Sequence, residues 1–115
     1  MKKYSKHIRK EIRALTAQAY ENHLSSELDK LHQEFERWKS GRQSAWDVSD
    51  AIHHFYTGAS RELFGLYKDN KFQDLVIARA IVQGFLSSED LSQELSELLQ
   101  SDIVSISENL KGTDD

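Results

Sequence analysis

Apolar residues recur in steps of three and four along the first third of the chain: Ile8, Ile12, Leu15 and Ala19, then Leu24, Leu28, Leu31, Phe35 and Trp38. That spacing places them on one side of an α-helix. Ser5 to Lys39 contains neither Pro nor Gly, so one helix is expected over the whole span. Such a helix is ~52 Å long at ~1.5 Å per residue. A compact domain of this chain length is only ~35 Å across, with a radius of gyration of ~13 Å. Between Ala19 and Leu24 the stripe changes phase by a step of five. A helix that runs through this jog turns its two halves in different directions, one toward its own domain and one toward a partner. A helix that breaks there has Ser25 and Ser26 as caps for a second segment. With no breaker in the span, the continuous helix is the expectation. A rod that overhangs its domain leaves an apolar edge uncovered, and a homodimer held through Leu24, Leu28, Leu31 and Phe35 is expected to cover it.

Shorter helices follow. Gly41 fits the left-handed position just past a helix end. Ser44 with Asp47 three residues on reads as a capping box, opening a second helix with Val48, Ile52, Phe55 and Tyr56 on one side. Gly58 interrupts or ends that helix, and Ser60 to Tyr67 forms another short one or continues it. Asp69, Asn70 and Lys71 make a turn. Phe72 to Gln83 is the most apolar stretch and predicts the central buried helix, closed by Gly84 with Phe85 completing the apolar contact at its end. Ser87, Ser88, Glu89 and Asp90 are expected to start the last helix, which carries Leu91, Leu95, Leu98 and Leu99. From Ser101 the chain is polar apart from Ile103, Val104, Ile106 and Leu110, and is expected to fray; residues 1–4 and 112–115 are expected to be disordered. The fold class is therefore all-α, a long N-terminal helix plus a compact bundle of three to four shorter helices, in one domain spanning 1–115.

Composition narrows the function. The chain has 115 residues, 30% of them charged, and no Pro or Cys; its mean hydropathy is -0.64. Without Cys there are no disulfides, thiolate metal sites or cysteine nucleophiles. No apolar run is long enough for a membrane span. The basic start, Met1 to Arg13, lacks the apolar segment of a secretory signal, so a cytoplasmic location is expected. Charge is uneven: residues 1–13 carry six Lys/Arg and one Glu, whereas residues 87–115 carry eight Asp/Glu and one Lys. These are solvated ends or complementary ones, within a chain or between subunits. A net charge of -4 argues against nucleic acid as the main ligand.

Candidate chemistry is sparse. Asp29 with His32 and Asp50 with His53 share a three-residue spacing, and His54 adjoins the second pair. On facing helices two such pairs resemble half of a bundle metal site, but the Glu-x-x-His motifs and additional Glu ligands of di-iron bundles are missing. A metal- or ligand-binding bundle using His32, His53 and His54 is thus the alternative, and solvated helix faces the simpler reading. There is no Gly-x-Ser-x-Gly elbow and no phosphate-binding glycine loop; neither an enzyme nor a cofactor is expected. Trp38 and Trp46 are packing residues or interface anchors. A transcriptional or toxin-type adaptor contacted through the basic N-terminal arm is a third possibility.

The run Trp46-Asp47-Val48-x-Asp50-x-Ile52, then Tyr67, then Leu75-Val76-x-Ala78-x-x-Ile81-x-x-Gly84-Phe85-Leu86-Ser87-x-Glu89-Asp90-Leu91 resembles the fluorescence recovery protein family of cyanobacteria, which has relatives in other bacteria. The similarity covers roughly Ser44 to Leu95. Ser49 stands where that family often has His, and Phe85 where it often has Trp. The resemblance implies an all-helical homodimer on a long N-terminal helix, without catalysis. It implies a photoprotective role: binding the orange carotenoid protein, or an unknown equivalent client, helping it leave phycobilisomes and return to its dark-adapted form. By motif, Trp46 and Asp50 carry over as members of the protein-interaction patch, with Arg61 the nearest candidate for the family's Arg.

Overall fold

The computed structural model describes residues 4–69 and 71–112. Ser5 starts the first helix: its backbone is extended and its Oγ accepts the Ile8 N–H at 3.4 Å, satisfying one of the amides that a helix start leaves open. Helix α1 then runs Lys6–Lys39 without a break, 34 residues, as the sequence predicts. It ends at Ser40 and a left-handed Gly41 (φ 80°). The Gly41 N–H donates to the Trp38 carbonyl at 3.0 Å and the Arg42 N–H to that of Arg37 at 2.8 Å. This paired bonding satisfies the last carbonyls and needs a positive φ, which Gly adopts without strain.

Helix α2, Ala45–His54, opens on the expected capping box, with Asp47 N–H on Ser44 Oγ and Ser44 N–H on Asp47 Oδ2. Gly58 does not end the path. Phe55–Ser60 forms a π-helical turn that delivers the chain into α3, Arg61–Lys68. Helix α4 spans Gln73–Gln83 and closes on left-handed Gly84 (φ 88°), with Phe85 N–H on the Ala80 carbonyl at 2.8 Å.

The start of the last helix differs from the sequence expectation. Ser88–Asp90 is only a 3-10 turn; Leu91 returns to extended backbone (φ -92°, ψ 146°) and drops into the core. Helix α5 begins at Gln93 and reaches Gly112, with Ser92 Oγ accepting the Leu95 N–H at 3.2 Å. Two serine start signals lie five residues apart, and burial of Leu91 between them decides for the second. The stretch from Ser101, expected to fray, is helical to Gly112. Of the ends expected to be disordered, 1–3 and 113–115 lie outside the described residues, as does Asn70 of the expected turn. Tyr4 is half-buried and its hydroxyl donates to Asp74 Oδ2 at 2.8 Å.

The core collects Ile8, Ile12, Leu15 and Ala19 of α1, Leu63 and Tyr67 of α3, Val76, Ile77 and Ala80 of α4, Leu86, Leu91, and Leu95 and Leu99 of α5. Full burial of each large aliphatic side chain contributes ~1.5–3 kcal/mol. Thr16 is buried with its hydroxyl on the Ile12 carbonyl at 2.7 Å, so no polar group is left open there. Only the first half of α1 belongs to this head. The molecule measures 53 × 34 × 23 Å with a radius of gyration of 17.2 Å, against the ~13 Å of a compact domain this long. The excess is the second half of α1, along which α2 and the π-helical turn run back to form a two-helix arm.

Candidate protein-interaction surface

Within α1 the buried residues are Ile8, Ile12, Leu15, Thr16 and Ala19. None follows Ala19, although the apolar stripe continues for more than half of the helix, to Trp38. The jog explains the division, because the phase change turns the second stripe away from the head. Its members fare differently. Leu24 still packs against the head core. Leu31 and Phe35 are half-buried, and Leu28 (45% exposed) and Trp38 face outward. Opposite them α2 has one buried residue, Val48. Ala51 and the half-buried Phe55 face α1 across a shallow groove that Leu31 also lines. Ile52 and Tyr56, expected on the same side as Val48, are exposed: one neighbouring helix covers only a narrow strip of another.

The far end of the arm is pinned by polar contacts. Gln43 Nε2 donates to Glu34 Oε2 at 2.6 Å, Arg37 Nε donates to Gln43 Oε1 at 2.6 Å, and Arg37 also pairs with Glu34. The Gln43 bond, then the Arg37 guanidinium, holds the Glu34 carboxyl below its ordinary range. At the shoulder, where arm meets head, His23 shares a 2.8 Å hydrogen bond with the Tyr67 hydroxyl and stacks on Phe85 at 3.9 Å, and Asn22 Nδ2 donates to the Phe85 carbonyl at 2.8 Å. Burial raises the Tyr67 hydroxyl above its ordinary value. This joint was missed from sequence; its residues are far apart in the chain and become neighbours only when α3 and the end of α4 pack against α1.

Trp46 is 83% exposed at the second position of α2, and Asp50 lies one turn further along, exposed on the same face. Arg61 is the first residue of α3, also exposed, beyond the π-helical turn. Among the described residues neither Asp50 nor Arg61 takes a hydrogen bond or ion pair, and none of those residues joins the two.

The metal alternative finds no donor set: among the described residues no group of three or more His, Asp or Glu converges. His53 and His54 are tilted neighbours 6.3 Å apart, and His32 pairs with Glu36 at 3.2 Å along α1. The two ends of the chain touch, with His7 Nε2 3.0 Å from Glu94 Oε2 and Glu11 accepting from the Ser92 N–H and hydroxyl, though neither contact pairs a Lys or Arg with an acid. No helix among the described residues is long and apolar enough to cross a membrane. No protein-family model, curated protein or solved structure matches the chain.

Proposed function

We propose that this chain is a non-enzymatic regulator that works in the cytoplasm as a homodimer and binds a client protein. The arm carries the proposal. Two helices joined at one end cannot enclose a core, and this pair leaves Leu28, Trp38, Ile52 and Tyr56 outside. Four helices can enclose one, so two arms laid together complete a bundle that one arm only begins. Leu24, Leu28, Leu31 and Phe35 are the proposed dimer contacts, with Leu24 also serving the head.

Trp46, Asp50 and Arg61 are the proposed client contacts. Trp46 offers a large exposed ring next to the Asp50 carboxylate, the combination of anchor and charge found at interaction hot spots. The action is a shift of populations: a protein that binds one conformer of its client better than another moves the equilibrium by that difference in affinity. The sequence resemblance to fluorescence recovery protein names the client to try first, the orange carotenoid protein.

The test is spectroscopic. Added to light-converted orange carotenoid protein, the chain is expected to speed the return to the dark-adapted absorbance. Asp50→Leu is expected to abolish that effect while keeping helicity and dimerisation. A wild-type chain without effect contradicts the client, and loss of fold in Asp50→Leu contradicts a contact role for Asp50.

A further inference from the structure

The head carries a second concave surface. Between α3, α4 and α5 lies a groove of about 370 Å³, toward the lower end of the range that holds small organic ligands. Its walls include Leu66 of α3, Leu75 and Val76 of α4, and Ile106 of α5. Among the described residues two polar side chains line it: Arg79, one turn beyond Leu75, and Asn109 on α5. Among the described residues Arg79 is the groove's one charged side chain, and its guanidinium makes no hydrogen bond or ion pair there.

An apolar groove that Phe72 also lines, with a guanidinium and an amide among its walls, is complementary to an alkyl chain bearing one carboxylate; the Arg79 charge also reaches His23 and Tyr67 but forms no ion pair with either. The chain displaces water from Leu66, Phe72, Leu75 and Ile106. The carboxylate accepts charge-assisted hydrogen bonds from Arg79, whose fork fits both oxygens, and another from the Asn109 amide. We infer that this groove binds a free single-chain carboxylate of the fatty-acid type. A chain still seated in a bilayer is a poorer candidate, because drawing it out forfeits the same apolar burial that the groove supplies.

Calorimetric titration of the full chain with laurate below its micelle concentration tests this. The expected result is saturable binding of one laurate per chain, with 1-dodecanol about tenfold weaker, the size of a hydrogen bond to a charged group. Arg79→Gln is expected to reduce laurate to the level of dodecanol. Leu75→Asp, at a position 41% exposed, is expected to abolish binding of both while the circular dichroism stays helical. Equal affinity for laurate and dodecanol overturns the inference, as do an Arg79→Gln variant with undiminished laurate affinity, absent or unsaturable uptake, and preference for phosphatidylglycerol vesicles over free laurate. None of these outcomes depends on the arm or its client.

Discussion

His23 sits where arm meets head. Its imidazole is held by Tyr67 and Phe85, and burial lowers its pKa, opposed by the nearby Glu27 carboxylate and assisted by the Arg79 and Lys30 cations. In the unfolded chain it regains an ordinary value of ~6.5. Below that value the unfolded state binds more protons than the folded one, so stability falls as pH falls. His23→Gln is therefore expected to flatten the decline in melting temperature between roughly pH 7 and pH 5; an unchanged slope refutes the assignment. Glu34, also depressed, acts only as pH falls through the carboxylate range, a separate window. At this scale the sequence was half legible. Trp46 and Asp50 could be named only through the motif resemblance, and what the structure adds is that both are exposed. The Tyr67–His23–Phe85 contact could not, since no local pattern encodes which helix a buried ring meets.

Among elements, those with strong local signals emerged as read. The absence of a breaker gave α1 in full, the Ser44–Asp47 box gave the start of α2, and Gly84 gave the end of α4. At Gly84 a Cβ meets nothing within 4 Å, so the cost of substitution is purely that of the left-handed backbone. Gly84→Ala is expected to lower stability by about 1–2 kcal/mol in urea unfolding with an unchanged slope; no loss contradicts the left-handed closure. The start of α5 shows where local reading fails. Ser87 and Asp90 do form a capping box, but the helix it opens stops after one turn so that Leu91 can be buried. Tertiary packing overrode valid local chemistry. Gly58 was ambiguous for a related reason: a glycine in a helix marks weakness, and whether the chain breaks or slips into a π-helical turn depends on what lies alongside.

At the scale of the molecule, the length of α1 fixes the shape. A helix longer than its head must project, and the phase change near Leu24 turns the projecting stripe outward. The sequence carried both facts. It did not carry the fact that α2 returns along the arm and covers Leu31 and Phe35 in part, which reduces the edge left open but does not remove it. Leu28→Asp places a charge on that open edge, where the isolated fold tolerates it. The variant is expected to stay helical and to separate into monomers, and a Leu28→Asp dimer as tight as wild type would move the interface elsewhere. The most direct measurement is light scattering coupled to size exclusion on the wild-type chain at micromolar concentration. A mass twice the 13.3 kDa of one chain is the predicted result, and 13.3 kDa itself, with the arm intact, would contradict the claim that two arms complete one bundle.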